Sequence, residues 1–266
     1  MAIELLIADI DGTLIDTVEL IQEGHYRTAK SYFVARGMAE RDFPSAEEYR
    51  RQLGISVGGS VRSTLEATLA ALFADAPERL VGVDFDEMVD HLRALQDELT
   101  PQYVRAYPGL EELFYGVGRE GLGIVLATSG SAHHVVRNFG TILPRLDVRG
   151  RADLAADVRV QLREFERLAA KMYGIRSFHV LTSEDVTAHK PDPEVIHAAL
   201  RLGRAQGAQA AMLGDHMVDM VAARDAGVAV RIGVTHGFDD EQTLQEAGAT
   251  CIVHSLAEVP AALANR

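Results

Sequence analysis

The chain has 266 residues, 47% of them hydrophobic, and its 39 acidic against 26 basic side chains give a formal charge of −13. That length holds one large domain or two of ordinary size, and the acidic balance offers no basic footprint for a nucleic-acid backbone. With no run of about eighteen apolar residues to span a bilayer and no signal-like start in Met1-Ala2-Ile3-Glu4, the expectation is a soluble, cytoplasmic protein without membrane or nucleic-acid partners.

The apolar run from Ile3 to Ala8 predicts a buried strand that ends at Asp9 and Asp11. From Val18 to Arg105 no strand pattern follows. Helical patterns near Val18 to Arg36, Ala46 to Leu53, Gly59 to Phe73 and Phe85 to Leu99, punctuated by Pro44, Pro77 and Pro101, predict a separate helical domain over 17–106. Asp16-Thr17 and Tyr107-Pro108-Gly109 would be its entrance and exit. Further strands are predicted at Gly123 to Ala127, Phe178 to Leu181, Ala210 to Leu213, Val228 to Ile232 and Cys251 to Val253, with helices such as Glu194 to Leu202 and Val218 to Ala226 between them. Alternation of this kind predicts an α/β doubly wound parallel sheet built from 1–16 and 107–266. Cys251, alone in the chain, forms no internal disulfide and reads as a buried structural thiol.

Four segments carry chemistry. Asp9-Ile10-Asp11-Gly12-Thr13-Leu14 puts two carboxylates at a strand's carboxyl end, where an open α/β sheet binds its ligands; the plain alternative is a turn. Thr128-Ser129-Gly130 ends another strand in hydroxyls, which would otherwise cap the next helix. Lys190-Pro191-Asp192-Pro193 precedes a helix, and its lysine read alone is a solvated surface residue. Asp215 ends a fourth strand, and Asp219 follows at helical spacing, so both carboxylates can face one point beside the sheet.

In order, strand-end placement and spacing, these segments resemble the haloacid dehalogenase-like hydrolase superfamily, within it the phosphoglycolate phosphatase-like and phosphomutase-like branch, over most of the chain from Ile3 to about Leu263. The resemblance implies a Rossmann-like core with a helical cap inserted after the first motif, and a magnesium-dependent phosphatase acting on a small phosphorylated metabolite through an aspartyl-phosphate. Asp9 resembles the nucleophile and Asp11 the general acid and base. Dehalogenases of the superfamily lack that second aspartate, so Asp11 argues for phosphoryl chemistry. Thr128 and Lys190 complete the implied catalytic set, with phosphate contacts from Gly12, Thr128, Ser129, Lys190 and the cap's Arg62. The implied metal ligands are Asp9, Asp11, Asp215 and Asp219, with Asp219 also supporting the lysine.

His25, Arg27 and Arg62, the last in the glycine-rich run Gly54 to Arg62, are the cap's candidate substrate contacts. His133-His134, His189, His216 and His236 match no zinc spacing. The interval from Thr128 to Lys190 is longer than the resemblance requires. In it Leu162, Phe165, Leu168, Ala169 and Met172 predict an extra amphipathic helix, packed on the core or exposed as a homodimer contact. A sugar phosphomutase and a catalytically silent binding protein are the alternative functions.

Overall fold

The structure, a computed structural model, describes residues 2–56, 60–151, 154 and 157–264. It divides into two compact units, Met1–Asp16 with Val104–Arg266, and Thr17–Tyr103.

The larger unit is built on six parallel strands, β1 (Leu5–Ala8), β4 (Gly123–Ala127), β5 (Ser177–Leu181), β6 (Ala210–Gly214), β7 (Val230–Val234) and β8 (Cys251–Val253), in the order β5-β4-β1-β6-β7-β8. Every residue of β1, β4 and β6 is buried, because helices cover both faces of a parallel sheet and leave no side for water. One face packs Leu6, Ala8, Ile124 and Leu126 against Leu113, Phe114, Phe139 and Phe165. The other packs Leu5, Ile7, Val125 and Met212 against Val195, Ile196, Ala199 and Met220. A two-stranded antiparallel ribbon, β2 (Ile15–Asp16) with β3 (Arg105–Ala106), completes the unit. That pairing draws Arg105 and Ala106 out of the helical segment to which the sequence assigned them.

The smaller unit holds α1 (Val18–Ala35), α2 (Ala46–Ser56), α3 (Val61–Leu72) and α4 (Phe85–Tyr103). Its own core gathers Phe33, Phe43, Tyr49, Leu65, Leu69, Phe73, Met88 and Leu92, with the Phe33 and Phe73 rings 5.2 Å apart. The helix α4 runs through Pro101, which the sequence marks as a breaker.

Other boundaries move for local reasons. The strand expected from Val228 begins at Val230, because the Val228 amide donates to the Ala223 carbonyl and still closes the preceding helix. Cys251 is half-buried on an edge strand rather than fully buried. The extra helix exists as α7 (Val158–Tyr173), but its stripe faces inward: Leu162, Phe165 and Ala169 are buried in the main core, with Phe165 1% exposed between Phe139 and Phe178. A ring so placed packs within its own chain, which is the packing role expected of the helix, while Leu168 and Met172 of the same stripe stay half-buried. Among the described residues no helix is long and apolar enough to cross a membrane.

Candidate active site

Strand order builds the site. With β1 between β4 and β6, and Ala8 paired with both Leu126 and Leu213, Asp9 stands one residue past the ladder, close to the ends of both neighbours. Its amide donates to the Leu213 carbonyl at 2.9 Å, which holds the chain in register beyond the strand. The turn that follows is closed by the Leu14 amide on the Ile10 carbonyl and the Gly12 amide on the Ile15 carbonyl, each 2.9 Å. Gly12 adopts φ +86°, and a Cβ there would stand 2.4 Å from an Asp215 carboxylate oxygen, so both backbone shape and space require glycine.

Asp9, Asp215 and Asp219 are all buried and offer carboxylate oxygens within 4.8 Å of one another. The Asp11 carboxylate stands outside that trio. It accepts a hydrogen bond from the Thr128 hydroxyl at 3.0 Å, and Thr128 accepts from the Gly130 amide at 2.8 Å. Lys190, 5% exposed, donates through Nζ to Asp9, to Asp219 at 2.6 Å and to the Ala127 carbonyl at 3.1 Å. Far from being a solvated surface lysine, it ties the ends of β1 and β4 to the helix α9 (Met217–Asp225).

Asp219 does a second job. Its other oxygen accepts from the His216 amide at 3.2 Å while the His216 ring accepts from the Val218 amide, a reciprocal cap of α9. His216, and not Asp215, thus caps the helix. Asp215 instead accepts from the Thr13 hydroxyl and, at 2.8 Å, from the Phe238 amide.

Three buried carboxylates share one lysine, and the acidities of Asp9 and Asp215 show the imbalance. Desolvation raises the Asp9 pKa well above its usual range; Lys190 opposes that, and the neighbouring carboxylates add to it. Asp215 is pushed up to about 7, first by burial and then by Asp219. Burial opposes the Lys190 charge, but Asp219 and Asp9 outweigh it and hold the ammonium above its ordinary pKa. The arrangement suits a hard divalent cation: clustered oxygen donors, excess negative charge and too little protein charge to offset it.

A haloacid dehalogenase-like hydrolase family model matches residues 3–227. The chain belongs to the haloacid dehalogenase-like hydrolases. Among characterised relatives it is 26% identical over 230 residues to a pyrophosphatase PpaX from Anoxybacillus flavithermus, covering 85% of this chain and 81% of that protein. It is 27% identical over 246 residues to a pyrophosphatase PpaX from Bacillus velezensis, covering 90% and 86%. Its fold matches a predicted phosphoglycolate phosphatase from Haemophilus somnus, with TM-score 0.72 and 15% identity over 97% of this chain and 96% of that one. It also matches a putative beta-phosphoglucomutase from Thermotoga maritima, with TM-score 0.65 and 21% identity over 99% of both chains.

In this haloacid dehalogenase-like hydrolase the residues singled out in the sequence separate into two groups. Asp9, Asp11, Gly12, Thr128, Lys190, Asp215 and Asp219 converge, although Thr128 is engaged with Asp11, and the N-cap of the following helix α6 (Ala132–Ile142) is Ser131 rather than Thr128 or Ser129. Ser129, half-buried, lies beside Thr128 at the same strand end. The candidates in the smaller unit are engaged or buried within it. Arg62 is engaged by Glu66 at 2.8 Å and by Asp86, and Arg27 pairs with Glu23 at 3.1 Å. His25 is buried, and desolvation lowers its pKa to about 4. Residues 57–59 of the glycine-rich run lie outside the described residues.

Thr13, Gly237 and Phe238 belong to the site and were missed. A Cβ on Gly237 would come within 1.9 Å of Asp215, so that glycine admits the carboxylate. Behind it the His236 ring bonds the Thr13 carbonyl at 2.9 Å and stacks on Tyr107 at 3.7 Å, which braces the segment.

The raised Asp215 pKa fixes the sign of a pH effect. Between its usual value of 3.8 and about 7 the folded chain holds a proton that the unfolded chain has released, so in metal-free protein this carboxyl subtracts stability as pH rises through that window. Urea midpoints of metal-free wild type should therefore fall relative to Asp215→Asn between pH 4 and pH 8. A difference that is flat or of opposite slope would show that the carboxyl is not desolvated as described.

Proposed function

We propose that this haloacid dehalogenase-like phosphohydrolase is a magnesium-dependent phosphatase that cleaves a small phosphate monoester, phosphoglycolate-like or sugar-phosphate-like, through an aspartyl-phosphate on Asp9. The observation that carries the reading is the convergence of Asp9, Asp215 and Asp219 on Lys190, with Asp11 held by Thr128 at the mouth of the same strands. The pyrophosphatase relatives and the phosphatase-like fold neighbours support phosphorus chemistry of this kind.

In this reading an Asp9 oxygen attacks phosphorus while Lys190, bonded to its other oxygen, orients the carboxylate and offsets charge on the transferring group. Magnesium, held by Asp9, Asp215 and Asp219, supplies the remaining charge neutralisation between nucleophile and phosphate dianion when bound. Asp11, protonated, donates to the departing alkoxide and then, as carboxylate, takes a proton from the water that attacks the aspartyl-phosphate. The Thr128 hydroxyl fixes the Asp11 carboxyl in one orientation for both steps. Thr13 and the Phe238 amide leave Asp215 little freedom to turn away from the centre.

A panel of phosphate monoesters, with pyrophosphate included, assayed for phosphate release tests this directly. Release from at least one monoester should cease with a chelator and return with magnesium. Full activity in excess chelator would remove the metal, and hydrolysis of pyrophosphate alone would replace the monoester reading.

A further inference from the structure

We propose that the cleft at the amino end of the sheet, remote from the catalytic carboxylates, is a second site that binds a small phosphate-bearing anion. The cleft, about 680 Å³, is lined by Glu4, Arg176, Ser177, His179 and the 201–204 segment, all within the larger unit. That volume takes a phosphorylated metabolite. Glu4 precedes β1 and Asp9 follows it, so the two sites lie roughly 16 Å apart along the strand.

Three exposed arginines, Arg176, Arg201 and Arg204, line the cleft with one acidic residue, Glu4. In a chain of net charge −13 such a concentration is unusual; among the described residues none of the three forms a close salt bridge, Arg201 acting on Glu194 only through longer-range charge. The competing carboxylate is itself engaged, Glu4 Oε1 accepting from the Gln209 amide at 2.6 Å. Arg176 donates to the Glu4 carbonyl at 3.0 Å, which fixes its head at the cleft and leaves its other N–H groups for a ligand.

A plainer account falls short. Arg201 and Arg204 lie at the carboxyl end of α8 (Glu194–Gly203), where cations offset the helix dipole, but Arg176 is on another element and gains nothing from that end. Arg204, moreover, holds φ +54° in the left-handed region where glycine is the usual residue, so the fold would be better served without its side chain. The planar fork of arginine matches phosphate oxygens in pairs, and half-buried His179 adds a ring N–H.

The test is isothermal titration of inorganic phosphate into the metal-free 266-residue protein at constant ionic strength set with chloride, comparing wild type with Arg176→Gln/Arg201→Gln/Arg204→Gly. Glycine at 204 suits the backbone, and the pair Arg201→Gln/Arg204→Gly serves if the triple variant does not fold. One saturable site is expected in wild type, weakened at least tenfold in the variant, with phosphatase turnover at saturating magnesium unchanged. No saturable binding, or binding of equal strength in the variant, would overturn the second site.

Discussion

Asp9→Asn should lower phosphate release by at least about a thousandfold while the protein stays folded, because an amide is no nucleophile toward phosphorus. Folding should survive. The substitution removes one of three crowded, buried carboxylates, and the relief of their repulsion offsets the lost contact with Lys190. Thermal midpoints of the metal-free wild type and variant should lie within a few degrees of each other, which separates chemistry from collapse. Retention of a tenth of the wild-type rate would exclude Asp9 as the nucleophile.

Lys190→Ala should damage both activity and folding. It takes away the one buried cation among Asp9, Asp215 and Asp219 and leaves the hydrogen bonds of Asp9 and Asp219 unmade. Removing one member of a buried ion pair costs about 3–5 kcal/mol. The loss should show as a lower urea midpoint at pH 8, and it should shrink at pH 5, where Asp215, pushed up to about 7, takes up a proton and the cluster carries less negative charge for the ammonium to offset. Added magnesium should restore part of the stability, though not the rate. An unchanged midpoint at pH 8 would mean that Lys190 is not the counter-charge of this cluster.

Three parts of this site were legible from the residues alone because each is a polar residue at the end of a continuous apolar run. Asp9, Thr128 and Asp215 announce themselves in that way, since a buried parallel strand leaves its carboxyl end as the natural place for a ligand. What stayed hidden depends on contacts across the chain. Thr13 and Asp215 are bonded over an interval of 202 positions, and nothing local in either segment shows it. Gly237 looks like an ordinary turn glycine until the Asp215 carboxylate is found where its Cβ would be. The stripe through Phe165 shows that one face of a helix is buried but not what buries it, so the partner was left open until the core placed it. Asp219 was read for its spacing from Asp215, while its capping bond to the His216 amide arises from the turn between them.

The central claim is that Asp9 carries the phosphoryl group, and it is tested most directly by trapping that group. Asp11→Asn, which lacks the base that activates water, should be mixed with a phosphorus-32-labelled aryl phosphate and magnesium, the aryl leaving group needing no acid. After acid quench and peptide mapping, label should be found on the peptide that contains Asp9 and be absent from the Asp9→Asn protein. Continued release of the aryl alcohol with no label on that peptide, or label on another residue, would contradict the mechanism.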